Sequence, residues 1–241
     1  YKVIGQSPVR HDGVDKVTGR AVYGADLNLP GMLHGKVLRS PHAHARIKSI
    51  DTSRAEAHPD VRAVVTSSDL ADTPPTGPVA VLGQMPSENI LARGKVLYKG
   101  HPVAAIAAAT AHVAEGLLSL IDVEYEVLPA VFDELEARLD DAPVIHAEED
   151  TVGIADREHN IVHRIHSERG NVEAALASAD HFYEQTFRVH QVQQCPIEPH
   201  ISVAWLDSDE RMVVRTATQV PFHTRRMLAP LIDMRIKDIR I

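Results

Sequence analysis

The 241-residue sequence predicts an α+β fold. In its middle, changes in apolar periodicity indicate a strand at 102–108, a helix at 111–120 and a strand at 121–129. Nearer the end, an apolar strand opens after the tetrad 197–200, and a second strand ends at Thr218 and Gln219, just before a helix that begins at Pro221. Ligands in open α/β sheets usually lie where strands hand over to helices. This last junction is therefore the first candidate for a functional site.

The residues up to 98 predict short strands, one short helix and a pair of loops. Gly13 and Gly19 mark turns between short extended pieces in the lead-in, and a helix at 52–57 has Thr52 or Ser53 as its hydroxyl cap. The strands expected in this half are 32–39, 47–51, 61–66 and 96–98, with a capping turn at 67–70. A proline-rich loop at 73–78 leads through 79–82 to a polar loop at 83–89. Proline stiffens such a loop, which suits it to docking another chain.

The central unit carries the sharpest pattern. Residues 102–108 are too apolar for a half-exposed strand, so we expect burial on both faces. Thr110 caps the helix that follows, and the strand at 121–129 alternates apolar and acidic residues, which indicates one wet face. From 130 to 170 only a short amphipathic turn at 132–139 stands out and no period persists. That stretch is the expected domain boundary.

Beyond the boundary, Asn171 is the expected N-cap of a helix at 170–180. Glu173 lies in its first turn, where the helix dipole favours a carboxylate. A strand at 181–189 follows.

Composition excludes several classes of protein. The formal net charge is -8, the pI is about 6.0, and no basic patch interleaved with aromatic residues occurs, so no nucleic-acid partner is expected. No apolar run approaches the length of a membrane span and no signal pattern opens the sequence, so we expect a soluble, cytoplasmic protein. The single cysteine, Cys195, fits a reducing compartment and cannot hold a four-cysteine cluster.

Three groups of polar side chains invite a metal-site interpretation, and each has a simpler alternative. The histidine pair at 42 and 44 lacks a third ligand, and the three histidines between 159 and 166 lack an assignable carboxylate partner. The three acidic residues between 122 and 126 lie on the solvated face that strand alternation predicts. We therefore expect packing or surface roles and no metal ligands. The groups are His42 and His44; His159, His163 and His166; and Asp122, Glu124 and Glu126.

Six short motifs occur in an order that is not easily accidental: the glycine-bounded entry at 19–26, then 40–47 (SPHAHARI), 100–104 (GHPVA), 170–176 (GNVEAAL), 198–200 (EPH) and 218–219 (TQ). Each is weak alone. Together they resemble the molybdenum-cofactor subunit of the xanthine dehydrogenase and aldehyde oxidase family, over nearly the whole chain.

The resemblance implies an α/β-hammerhead domain at 1–140, a linker at 141–169 and the start of a molybdopterin-binding domain at 170–241. It implies part of a molybdenum hydroxylase, which hydroxylates an aldehyde or N-heterocycle with oxygen from water. Gln219 matches the family's strand-end glutamine, whose amide points toward an oxygen ligand of molybdenum. The family's glycine-rich cofactor loop and its base, a glutamate, come later than Ile241. We therefore expect a fragment or one piece of a divided enzyme, inactive alone and without a catalytic residue of its own.

The implied cofactor is molybdenum with molybdopterin, shared with the remaining molybdenum-binding polypeptide. Electrons would leave through [2Fe-2S] clusters on an iron-sulfur subunit, and a flavin subunit that carries FAD is left open as a further partner. The substrate is a small molecule whose identity the sequence does not reveal. The alternative function is a non-catalytic hammerhead-type interaction module that binds no cofactor.

Single residues near the junction also have two interpretations. From the residues alone, Gln219 could satisfy backbone groups at the start of the helix, whereas the resemblance favours the cofactor role. Glu198 precedes a proline and is interpreted as a partly buried structural carboxylate. Cys195 is interpreted as a small buried residue.

Overall fold

The computed structural model of the chain describes residues 2–70, 90–147 and 154–241. The expected loops at 73–89 lie outside these ranges. The described residues form two compact units, one made of those before 130 together with 200–241, the other of those between 130 and 199. Within the described ranges, none of the helices has the length and apolar character needed to cross a bilayer.

The regular elements are short and separated by turns. The strands are β1 (His34–Arg39), β2 (Ala45–Asp51), β3 (Val61–Thr66), β4 (Lys95–Val96), β5 (Pro102–Ala108), β6 (Asp122–Val127), β7 (Ser202–Leu206), β8 (Met212–Thr216) and β9 (Ile239–Arg240). The α-helices are α1 (Gly13–Val17), α2 (Ser53–Glu56), α3 (Ala111–Leu117), α4 (Val172–Ala177) and α5 (Pro221–Leu231). Single 3-10 turns occupy Gly24–Asp26, Ser67–Asp69, Leu118–Leu120, Glu136–Arg138 and Ile236–Asp238.

The first unit contains three small sheets. In the first, β5 lies between β1 and β3, and both pairings are antiparallel. In the second, β2 lies between β4 and β6. The third has the order β7-β8-β9, where β7 and β8 are antiparallel and β8 and β9 are parallel.

The central unit follows the sequence prediction closely. Ala104, Ile106 and Ala108 of β5 lie on one face of its sheet and are fully buried. On the other face Val103 is fully buried, but Ala105 and Ala107 are only partly buried, so the expected burial on both faces is complete on one face alone. Ala104 and Ile106 pack with Ala55 of α2 in one core cluster.

Two of the three predicted helix caps are present. The third is wrong, because Thr52 at the start of α2 makes no capping hydrogen bond and its hydroxyl donates instead to the Glu56 side chain at 2.6 Å. The Thr110 hydroxyl accepts a hydrogen bond from the Val113 N–H at 3.2 Å, and the Asn171 side chain accepts one from the Ala174 N–H at 2.9 Å. These bonds satisfy N–H groups that the first turn of a helix leaves free. The helix after Thr110 is α-helical only to Leu117 and ends in a 3-10 turn.

Two predictions about which segments are helix or strand are also wrong. The lead-in contains the helix α1 where turns and extended pieces were expected, because Asp12 pairs with both Arg10 (2.6 Å) and Lys16 (2.8 Å) and so stabilises one helical turn. Residues 181–189 form no strand, and Phe182, Tyr183 and Phe187 are exposed. Aromatic residues favour a strand, but a strand also needs a hydrogen-bonded neighbour, which none of the described segments supplies.

In the second unit, the histidine-bearing stretch is a tight turn. Asp156 and Ile161 form an antiparallel bridge, and Asn160 between them has φ of 53°. The Asn160 amide accepts a hydrogen bond from Ile145 N–H (2.9 Å) and donates to the carbonyls of Ala137 (2.9 Å) and Pro143 (3.0 Å). One side chain thereby ties three separate segments together.

Candidate functional site

The junction that contains Gln219 is part of a β-α-β unit. β8 runs into α5, which returns the chain to β9, and β8 and β9 are parallel neighbours. The loop 217–220 therefore lies at the carboxyl end of β8, at the same edge as the end of β9. Ligands of open sheets with this connection bind outside the carboxyl ends of the strands.

Thr218 supports the backbone of this loop. Its hydroxyl oxygen accepts a hydrogen bond from Val220 N–H at 3.1 Å and lies 3.2 Å from the hydroxyl oxygen of Thr224 in α5. The Thr224 hydroxyl in turn donates to the carbonyl of Val220 at 3.2 Å. The start of α5 is thus held by two threonines.

Gln219 is left free by this arrangement. Its side chain is exposed, and its amide makes no hydrogen bond to any residue that the structure describes. Thr218, and not Gln219, accepts the hydrogen bond from a backbone N–H at the start of α5. The strand itself ends at Thr216, three residues before its predicted end at Gln219, so Gln219 lies on a loop.

The pair His42 and His44 has packing roles. The ring of His42 meets Tyr125 edge-on with centroids 5.1 Å apart, and buried His44 donates from Nδ1 to the carbonyl of Pro129 at 2.6 Å. Partial burial raises the pKa of the Tyr125 hydroxyl, although a hydrogen bond with Ser40 opposes that rise. These contacts join the 40–44 loop to β6 and to the residues that leave it.

Side chains of the other two candidate metal groups, around His159 and on β6, form ion pairs or are exposed. His159 Nδ1 lies 3.0 Å from a carboxylate oxygen of Asp156, and its Nε2 lies 3.3 Å from Asp140, so hydrogen bonding to Asp156 raises the pKa of His159. The acidic face of β6 is exposed, with Asp122 paired to Arg54 at 3.2 Å. Among the described residues, no group of three or more His, Cys, Asp or Glu side chains could hold a metal ion.

Two predictions for the residues that precede β7 in the chain are wrong. Glu198 and Cys195 are both exposed, whereas partial burial and full burial were expected. Residues 179–201 form no regular structure, so no packed layer covers these side chains. Cys195 has φ of 43°, a left-handed conformation that suits a turn better than a core strand.

Sequence reasoning missed the basic character of the last segment. Residues 221–241 contain five Arg or Lys (Arg225, Arg226, Arg235, Lys237, Arg240) but only two acidic residues (Asp233, Asp238), in a chain of net charge -8. A count of charges by segment would have found this contrast.

Two family models match the chain. The model described as "Aldehyde oxidase and xanthine dehydrogenase, a/b hammerhead domain" matches residues 18–129. The model described as "Molybdopterin cofactor-binding domain" matches residues 154–241. The second range contains the loop of Gln219 and the β8-α5-β9 unit.

Similar proteins support the same grouping. The chain is 35% identical to the "Probable hypoxanthine oxidase XdhD" of Escherichia coli K12, with all of this chain and 28% of that protein aligned. It is 31% identical to the "Nicotinate dehydrogenase large molybdopterin subunit" of Eubacterium barkeri, where it covers 53% of the relative. The chain therefore spans between roughly a quarter and a half of the length of these relatives.

Among solved structures, the Cu,Mo-CO dehydrogenase in its carbon-monoxide-reduced state is similar over nearly the whole chain. The TM-score is 0.77 at 33% sequence identity, and the match covers 98% of this chain and 30% of that one.

Proposed function

Because the chain belongs to the aldehyde oxidase and xanthine dehydrogenase family, we propose that it forms part of the cofactor pocket of a molybdenum hydroxylase. The complete enzyme would hydroxylate an aldehyde or an N-heterocycle, with water as the source of oxygen. The observation that carries this proposal is Gln219, an exposed amide free of hydrogen bonds to described residues, at the carboxyl end of β8.

The free amide fits the proposed cofactor. An amide NH2 is a neutral donor, so it holds an oxygen atom of the cofactor without adding charge to the site. Thr218 already secures the start of α5, so the loop keeps its conformation while the Gln219 side chain is used elsewhere. When bound, the molybdenum cofactor supplies the redox chemistry of hydroxylation. This chain supplies orientation, through the Gln219 amide, and removal of the substrate proton falls to a residue outside the chain.

The partners follow from the same assignment. One cysteine, exposed Cys195, cannot bind a [2Fe-2S] cluster that needs four thiolates, so the clusters belong to another chain or segment. An iron-sulfur subunit and, in addition, a flavin subunit with FAD would carry the electrons onward. The name of the Eubacterium barkeri relative, a large molybdopterin subunit, supports such a division among chains.

We also propose the domain division 1–140, 141–169 and 170–241. The hammerhead model ends at residue 129 and the cofactor-binding model begins at 154, which supports a boundary in this stretch. The ordered turn around Asn160 supports a folded connection in the described part of 141–169.

The test is metal and pterin analysis of the full polypeptide that contains this chain, purified natively. We expect stoichiometric molybdenum and pterin, and we expect Gln219→Ala to lower kcat by about a hundredfold or more, the usual effect of removing one donor to a developing charge. Gln6→Ala, at an exposed position in the lead-in, is the matched control.

Two outcomes would count against the proposal. A native complex free of molybdenum and pterin would leave only the alternative, an interaction module without cofactor. Equal activity and equal molybdenum content in Gln219→Ala and Gln6→Ala would remove the role assigned to Gln219.

A further inference from the structure

A basic cavity of about 360 Å³ lies between the start of α5 and β9. Arg211, Arg225, Lys237 and Arg240 line it, and the rest of its lining is proline, phenylalanine and isoleucine. No carboxylate side chain from the described part of the chain lines the cavity. It is distinct from Gln219, which is not among the lining residues.

Arg225 carries a donor without an acceptor. Its Nε is buried and has no hydrogen-bond partner among the described residues, while its guanidinium carbon lies 5.5 Å from the centre of the Phe222 ring. A buried donor that lost its water and found no acceptor destabilises the protein. Arg225 also lines the cavity, so an anion bound there would lie beside its guanidinium group.

The neighbouring carboxylates neutralise only one of the four cations that line the cavity. Asp207 and Asp209 engage Arg211, at 3.0 and 2.8 Å. Asp238 is paired with Arg235, outside the lining. Lys237 and Arg240 are exposed and take part in no ion pair with the described residues.

The first turn of α5 adds to the positive potential. Its N-cap, Val220, makes no side-chain capping bond, and the helix is eleven residues long. The N-terminus of such a helix carries a partial positive charge that favours anions. The basic side chains, the positive end of the α5 dipole and the guanidinium of Arg225 therefore all lie at one cavity.

We propose that this cavity binds the phosphate group of a small molecule. The planar guanidinium of Arg225 matches two phosphate oxygens, and Lys237 and Arg240 balance a charge larger than that of one carboxylate. The volume is at the lower end of small-molecule sites, which start at about 300 Å³. The phosphate has two possible sources, a separate phosphorylated metabolite or the phosphate of the bound pterin cofactor. Only the second source rests on the proposed function.

The test uses the natively purified full polypeptide and inorganic pyrophosphate as the calorimetric probe. The variants are Arg225→Gln, Lys237→Gln and Arg240→Gln, and the matched control is Arg226→Gln, an exposed neighbour on α5 that does not line the cavity. We expect the dissociation constant to rise about tenfold or more for Arg225→Gln and about two- to fivefold for Lys237→Gln. Arg226→Gln should bind as the wild type does. Lys237 and Arg240 are exposed, so their variants keep the test valid if Arg225→Gln fails to fold.

Released pterin is measured in the same preparations. Pyrophosphate binding that depends on the cavity residues supports a separate metabolite. Absence of pyrophosphate binding, together with a lower pterin content in Lys237→Gln and Arg240→Gln than in Arg226→Gln, supports the cofactor phosphate. If neither binding nor pterin content distinguishes the cavity variants from Arg226→Gln, the proposal is overturned. A pterin content that still depends on Gln219 would then leave the proposed function intact.

Discussion

Asn160 provides the sharpest stability test, because one side chain makes three hydrogen bonds in a left-handed turn. Asn160→Ala removes those bonds, each of which contributes about 1 kcal/mol net. It also forces alanine into the left-handed region, at a cost of about 1 kcal/mol. Since Asn160 is only half-buried, water replaces part of the loss, and we expect a total destabilisation of about 2 to 4 kcal/mol.

Two further substitutions separate these contributions. Asn160→Gly loses the hydrogen bonds but tolerates φ of 53°, so we expect it to be less destabilising than Asn160→Ala by about 1 kcal/mol. Asn160→Asp keeps the acceptor for Ile145 N–H but turns a carboxylate toward two carbonyl oxygens, those of Ala137 and Pro143. Asn28→Ala, at an exposed position, is the control.

Native-state amide hydrogen exchange at Ile145 and Ile161 reads the effect locally. About 1.4 kcal/mol corresponds to a factor of ten, so Asn160→Ala should speed exchange by roughly thirtyfold to a thousandfold. Exchange in Asn160→Ala as slow as in Asn28→Ala would refute the reasoning, because the three bonds would then contribute nothing to the order of this segment.

Two further predictions concern packing and pH. A Cβ at Gly24 would lie 2.3 Å from Cγ2 of Ile201, so Gly24→Ala should lower the melting temperature measured by calorimetry, whereas Gly35→Ala, where a Cβ meets nothing within 4 Å, should change it little. The Asp156–His159 pair should hold the 156–161 turn within a pH window. The pKa of His159 is raised above its ordinary 6.5 by Asp156, so its contribution is complete below 6.5 and is lost as the pH rises through the raised pKa. The pKa of Asp156 is lowered from 3.8, chiefly by its hydrogen bond with His159, so its contribution is present above 3.8 and is lost as the pH falls through the lowered pKa. Hydrogen exchange at Ile161 against pH measures both limits, and an alkaline limit that persists in His159→Gln would contradict this assignment.

The sequence predicted correctly those strands and helix starts that depend mainly on neighbouring residues. The apolar run of β5 and the caps Thr110 and Asn171 needed only neighbouring residues, and the structure confirms all three. The 181–189 segment failed because pairing depends on a distant strand. The glycines around α1 favour turns, whereas the pairing of Asp12 with Lys16 supports a helical turn in the same segment.

The candidate site divides in the same way. The position of Gln219 before a proline-led helix could be predicted from the motif and its order along the chain. The roles of Thr218 and Thr224, and the convergence of Arg225 with Lys237 and Arg240, could not be predicted, because they depend on how α5 returns beside β9. Arg225 on α5 comes close to Lys237 and Arg240 only when the chain folds back so that β9 lies beside β8.

The alanines of β5 limit how this protein can vary in evolution. Ala104 and Ala108 are fully buried, and Ala104 belongs to the same cluster as Ala55, which is also fully buried. Larger side chains at these positions would overlap with the neighbouring strand and helix and force them apart, because a close-packed interior has no room for even one added methylene. Substitutions in this half of the molecule should therefore be tolerated best at exposed positions, and the exposed loop 217–220 can change without disturbing this core.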